Sequence, residues 1–185
     1  MFTPQLAPVP TDFAAGAASP AGSYLAERPP LRRLSQETLL AAPLEEVFEF
    51  FADARNLEPL TPAWLRFRIL TPQPLEMQAG AVLDYRIRLG LVPTSWRTRI
   101  EVWEPPHRFV DAQLSGPYRC WWHEHRFEPT PGGTRMSDEV LFTPALGRLG
   151  QFVAGGIVEG RLRSIFSHRA RIIGSLFGSL PVPVA

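Results

Sequence analysis

The chain has 185 residues, 45% of them hydrophobic and 20% charged, with a formal net charge of +1, a balance that suits one soluble globular domain and leaves no room for two ordinary ones. Without a cationic excess there is no electrostatic case for a nucleic-acid partner or an anionic membrane. All 19 basic residues are arginine, which excludes chemistry that needs a lysine, from Schiff bases to P-loop phosphate binding.

Residues 1–30 are dominated by Pro, Ala, Gly and Ser at no fixed apolar period, and are expected to form a poorly ordered tail unless docking through Phe13 or Tyr24 orders them. They carry neither the basic nor the continuous apolar stretch of a secretory signal. No run approaches the roughly 18 apolar residues that span a bilayer. The single cysteine, Cys120, suits a reducing compartment, so a cytoplasmic location without stable membrane insertion is expected. The folded domain is expected over 31–178, with 179–185 as a second short tail. Leu31 to Leu40 predicts the first strand, and Ala42 to Phe51 a short helix. In that helix Pro43 suits the first turn, Glu45 and Glu46 complement the dipole, and Val47, Phe50 and Phe51 form the apolar stripe. A second brief helix is expected between Asp53 and Pro62.

From about Phe67 the period changes. Strands are expected near 67–71, 81–90, 94–104, 107–114, 118–128 and 134–142, separated by Gly90 to Pro93, Pro105-Pro106, Ser115-Gly116-Pro117 and Pro131-Gly132-Gly133. Such short connections join neighbouring antiparallel strands. Beyond Gly147 an apolar set at helical spacing predicts roughly thirty residues of helix, through Leu149, Phe152, Val153, Ile157, Leu162, Ile165, Phe166, Ile172, Ile173 and Leu176. Arg161, Arg163, Arg169 and Arg171 are expected mostly on its flanks, and Gly155-Gly156 at a kink or a close approach.

The stretch Trp121-Trp122-His123-Glu124-His125-Arg126-Phe127 alternates so that Trp121, His123, His125 and Phe127 share one strand face. Cys120 falls on the opposite face and is read as neither nucleophile nor ligand. Pairing through the turns sets Val102, Ile100 and Thr98 beside Phe109, Asp111 and Gln113, and Phe109 and Asp111 beside His123 and Trp121. The next turn places His123 near Asp138, with Met136, Val140 and Phe142 on the same face, which also gathers Leu83, Tyr85, Ile87 and Trp96. The other face gathers Asp84, Arg86, Arg88, Arg97, Arg99, Glu101, Glu124, Arg126 and Glu139, and is expected to be solvated. One sheet surface is thus apolar yet seeded with Tyr85, Thr98, Asp111, Gln113, His123, His125 and Asp138, groups that need partners if buried.

The order of strand, two short helices, six antiparallel strands and long terminal helix resembles the START-like helix-grip superfamily, also called SRPBCC. The segments APLEEVFEFFADARNLEPLTP and WEPPHRFVDAQLSGPYRCWWHEHRFEPTPGGTRMSDEV are similar to its bacterial ligand-binding or polyketide cyclase/dehydrase-like subgroup. The resemblance covers roughly 31–178 and implies an α+β fold in which a curved antiparallel sheet of about seven strands grips the last helix over a hydrophobic cavity. It implies no particular reaction, because the fold hosts carriers, receptors and cyclases alike.

The pocket residues follow from the strand faces: Tyr85, Trp96, Thr98, Phe109, Asp111, Gln113, Trp121, His123, His125, Phe127, Met136, Asp138 and Phe142. Binding of a hydrophobic small molecule or lipid, oriented by the polar residues, is the first expectation. The runner-up is a cyclase or dehydratase in which His123 beside Asp138, with Tyr85, moves protons on a polyketide-like substrate. A third is a protein-interaction module around a small or closed cavity. His123-x-His125 with Asp111 or Asp138 has the residue types of an open metal site, but no flanking motif accompanies them, and no metal or other cofactor is expected. Trp64 and the prolines beside it are read either as part of the pocket mouth or, equally, as structural residues of the loop.

Overall fold

Strand alternation from Phe67 onward folds, in a computed structural model describing residues 4–9, 20–28, 30, 32–145 and 147–180 with the backbone alone at 20–22 and 147–155, into one antiparallel sheet. Its strands are β1 (Gln5–Pro8), β2 (Arg32–Leu40), β3 (Arg68–Ile69), β4 (Val82–Leu89), β5 (Val92–Glu104), β6 (Arg108–Ser115), β7 (Tyr118–Thr130) and β8 (Gly133–Pro144). They are ordered β1-β2-β8-β7-β6-β5-β4-β3. Helix α1 (Pro20–Glu27) lies between β1 and β2 in sequence, α2 (Leu44–Ala52) follows β2, and α3 (Gly147–Phe177) ends the fold. This is the α+β helix-grip architecture, with an eighth strand contributed by the N-terminal segment.

That segment departs most from expectation. Residues 5–8 pair with β2, and α1 buries Tyr24 and Leu25 against the outer face of the sheet. Phe13 lies outside the described residues. The outer face is therefore solvated only in part. Arg97–Asp84, Arg99–Glu101 and Arg108–Glu124 form ion pairs there, whereas Val110, Ala112, Cys120, Trp122 and Leu141 make an apolar cluster beneath α1. The Tyr24 hydroxyl contacts the Gln113 and Trp121 carbonyls at 3.0 and 3.1 Å and accepts from Trp121 N at 3.2 Å. It occupies the place where the β6–β7 ladder has stopped after Ala112↔Trp122. Burial pushes both the Tyr24 phenol and the Cys120 thiol up to about 12.

Turns and bulges correct the expected register. Pro131 and Gly132 form the two-residue loop between β7 and β8, with Gly132 at φ 85°, as a turn with Pro first and Gly second requires. A Cβ on the next glycine, Gly133, would meet the Leu40 carbonyl oxygen at 1.9 Å, so β2 can approach only a glycine there. The β6–β7 hairpin is centred one residue later than Gly116, which pairs Phe109 with His125 and Asp111 with His123. In β5 the register shifts between Ile100 and Val102. That bulge sends Val102 to the outer cluster and brings Trp103, not Val102, beside Phe109 on the inner face.

Helix α2 starts at Leu44 with Pro43 as its N-cap, and buries Leu44, Val47, Phe48 and Phe51. The expected Phe50 is only partly buried, and Phe48 replaces it at the sheet, its ring meeting Phe109 and Phe127 edge-on. The expected second helix is a 3-10 turn at Ala54–Leu57, followed by another at Ala63–Leu65. The α3 backbone stays helical through Gly155-Gly156, and among the described residues a Cβ on Gly156 would meet nothing within 4 Å, so no described element closes on it. Leu162, Phe166, Ala170 and Ile173 form the buried stripe of α3, while Ile157 and Leu176 are exposed. The side chains of Leu149, Phe152 and Val153 lie outside the described ones. After α3, Ser179 bridges Leu40 and Leu180 N donates to the Leu39 carbonyl at 3.0 Å, which ties the helix end to β2.

Candidate functional site

The inner faces of β4 to β7, the turns after α2 and the middle of α3 enclose a cavity of about 150 Å³. Cavities of about this volume accommodate a small aromatic molecule. Its walls are mostly apolar: Leu83, Ile87 and Ile100 from the strands, Leu162, Ile165 and Phe166 from α3, Phe51 from α2, and Leu65 and Phe67 from the segment after it. Aromatic rings dominate one side, where Trp96 meets Trp121 edge-on at 5.1 Å and Tyr85 at 5.6 Å.

Of the residues expected in the pocket, Tyr85, Trp96, Thr98, Phe109, Asp111, Trp121, His123 and His125 line the cavity. Five do not. Gln113 turns into the β6–β7 hairpin, where its Nε2 donates to the Tyr118 carbonyl at 2.6 Å, so its amide repairs a frayed ladder. Phe127 and Met136 pack under α2 with Phe48 and Phe51. Phe142 packs with Leu34, Val140, Leu162 and Phe166. Asp138 sits behind the histidines. Trp64 is 44% exposed and leaves the wall to its neighbour Leu65.

Register accounts for the polar centre. Asp111 on β6 lies opposite His123, and Asp138 on β8 lies opposite His125, so two carboxylates flank two imidazoles whose rings are 3.9 Å apart. Asp111 Oδ2 is 3.4 Å from His123 Nδ1 and 3.6 Å from His125 Nε2. Asp138 Oδ1 is hydrogen-bonded with His123 Nε2 at 3.2 Å. His125 Nδ1 lies 2.7 Å from the same oxygen without the alignment of a hydrogen bond. Burial opposes charge on Asp111 and Asp138, but the two histidines outweigh it and hold both carboxyls well below the usual carboxylate range. Burial alone would depress His123, yet the two carboxylates raise it above its ordinary 6.5. Burial lifts the Tyr85 phenol far above its ordinary range, and its hydroxyl shares a 2.8 Å hydrogen bond with Thr98 Oγ1. Tyr85 is therefore a neutral hydrogen-bonding group rather than a base.

Arg169 was expected on the flank of α3 and instead faces the cavity. Its side chain is 11% exposed, and Nη1 lies 3.9 Å from Asp138 Oδ1. Nε and Nη1 have no acceptor among the described residues, and the guanidinium carbon sits 5.3 Å from the Phe166 ring centroid. The signal was available in the sequence: position 169 falls between Phe166 and Ala170, inside the buried stripe.

Asp111, His123 and His125 each offer one ligand atom, all within 4.8 Å of one another, and Asp138 backs both rings as an outer-shell carboxylate would. The residue types fit a divalent transition metal. The same side chains also neutralise one another as ion pairs, so the geometry alone does not call for an ion.

Residues 40–166 match the family model described as polyketide cyclase / dehydrase and lipid transport. No curated protein matches the sequence. Among solved structures, protein CV1439 from Chromobacterium violaceum superposes with a TM-score of 0.62 at 14% identity, over 80% of this chain and 99% of that one. The ZhuI aromatase/cyclase from Streptomyces sp. R1128 gives 0.59 at 20% identity, over 77% and 92%. Protein Ms6760 from Mycobacterium smegmatis gives 0.54 at 20%, also over 77% and 92%. At these identities the likeness is one of fold. Among the described residues no helix is long and apolar enough to cross a membrane.

Proposed function

Because the chain belongs to the polyketide cyclase/dehydrase and lipid-transport family, we propose that it binds a small, largely apolar molecule in the cavity between its sheet and α3. The observation that carries this reading is the wall itself, apolar on most sides with a few convergent polar groups, which is how small-molecule sites are built. A calorimetric titration with naphthalene tests it. One molecule is expected to bind per chain, and Leu162→Trp, which fills the cavity from α3, is expected to abolish binding while the circular dichroism spectrum is kept. Absence of binding by naphthalene and other apolar probes to the folded wild-type protein would refute the reading.

The second reading is a cyclase- or dehydratase-like enzyme, favoured by the His123–Asp111–Asp138 contacts at the cavity wall. With His123 raised and both carboxyls lowered, the imidazolium is the proton donor of the set and the carboxylates are weak bases. Its role would be to protonate or hydrogen-bond a ligand carbonyl as charge develops there, with Tyr85 as a neutral donor. Turnover of an enone or polyketide substrate, lost in His123→Gln and Asp138→Asn variants that remain folded, is the expected result. A rate unchanged by both substitutions would exclude these residues.

A further inference from the structure

Arg169 is a permanent cation on the sheet-facing side of α3, and it lines the cavity. The carboxylate it faces, Asp138, is 3.9 Å away and shared with both histidines, so it gives the guanidinium an ion pair at the limit of contact but no hydrogen bond. Nε and Nη1 are buried without an acceptor among the described residues. The indole N–H of Trp96, on another wall of the cavity, is in the same condition. Buried polar groups left in this state carry a free-energy cost unless something supplies partners. All three groups are donors. The carboxylate on the cavity wall, Asp111, is turned to the two imidazoles. What enters this cavity therefore has to bring acceptors.

We propose that the ligand is a small aromatic carboxylate, with its ring among the aromatic side chains and its carboxylate on Arg169; this rests on the binding reading above and names the class of ligand. A neutral carbonyl offers a single oxygen to the guanidinium, whereas a carboxylate supplies two, matched to the adjacent Nε and Nη1 donors, in charge-assisted hydrogen bonds. A cavity of about 150 Å³ suits one or two rings rather than a sterol or a long acyl chain. Trp96, Trp121, Phe109 and Tyr118 present ring faces and edges, the complement of another ring.

The test compares 2-naphthoate with naphthalene, two probes of one shape that differ in the carboxylate. The wild-type protein is expected to bind 2-naphthoate about ten- to a hundredfold more tightly, the range of a charge-assisted hydrogen bond made in a buried site. Arg169→Gln is expected to bring the two affinities within about twofold of each other. Arg169→Met, which removes two buried donors that lack acceptors and leaves Asp138 with its two histidines, is expected to raise the denaturation midpoint of the ligand-free protein. A naphthoate preference that survives Arg169→Gln overturns the proposal. So does a large loss of stability in Arg169→Met, because the guanidinium would then be structural. If naphthalene binds and 2-naphthoate binds no more tightly, the carboxylate assignment fails and the apolar-ligand reading stands; if neither binds, both fall.

Discussion

Strand β7 buries both of its faces, and they are built differently. On the outer face Cys120 and Trp122 pack with Val110, Ala112 and Leu141 under Tyr24 and Leu25 of α1, and no orphaned polar atom falls within that cluster among the described residues. On the inner face His123 and His125 stand between two carboxylates, and unpaired donors on Arg169 and Trp96 share their cavity. A face that only has to be stable closes its polar accounts internally, as Tyr24 does by bonding the backbone at Gln113 and Trp121. Leaving donors open costs stability, and a protein tolerates that where something else is to be accommodated.

Substitution on each face separates the two. Asp138→Ala leaves two imidazoles and Arg169 without their shared carboxylate and is expected to cost about 3–5 kcal/mol in denaturant unfolding, together with a change in naphthoate affinity. Trp122→Ala empties the outer cluster at a similar cost of about 3–5 kcal/mol, but is expected to leave naphthalene and 2-naphthoate affinities unchanged in protein that is still folded. A change in ligand affinity at Trp122 would break the distinction.

Proton linkage sharpens it further. Asp111 and Asp138 titrate far below the 3.8 of the unfolded chain, so their contribution is fully present above about pH 5 and is lost as the pH falls toward their native values. His123 is raised above 6.5, so its contribution is present below that pH and is lost as the pH rises through its native value. Stability is therefore expected to peak in mildly acidic solution and to decline on both sides, as read from urea midpoints across pH. Asp138→Asn is expected to remove Asp138's share of the acid-side slope and leave that of Asp111, and Trp122→Ala to keep both. Tyr24→Phe, which leaves the Trp121 N–H without its acceptor, is expected to cost about 1–3 kcal/mol and to leave the pH profile unmoved. The smallest expected effect is that of chelation. Since ion pairing already neutralises the Asp111, His123 and His125 set, protein purified without an affinity tag is expected to hold no stoichiometric metal and to keep its midpoint in EDTA. A full equivalent of metal by elemental analysis would reassign that set as ligands.

Most of the strands and the long helix were legible because their hydrophobic periods are strong, and the WWHEHRF alternation put His123 and His125 on the inner face correctly. What failed did so for local reasons. One extra residue in β5 at Glu101 exchanged Val102 for Trp103, and a hairpin centred one residue later than Gly116 changed which histidine faces Phe109; a bulge or a turn centre leaves little trace in a residue pattern. Phe127, Met136 and Phe142 share the parity of the histidines but not their position along the strand, and parity says nothing about where a cavity ends. Residues 5–8 and Tyr24 acquire their roles from partners far away in sequence, which composition does not encode. Arg169 was missed because an arginine at a buried helical position was read by type rather than by phase.

The most direct test of this account uses the five tryptophans as reporters, since Trp96 and Trp121 line the cavity, Trp103 packs in the α2 core, Trp122 is under α1 and Trp64 is exposed. In a nitrogen-15 NMR titration with 2-naphthoate, the indole N–H signals of Trp96 and Trp121 are expected to shift to saturation while those of Trp122 and Trp64 stay in place. Shifts confined to Trp122 or Trp64, or no shift at Trp96 and Trp121 at saturating probe, would contradict a binding site on the inner face.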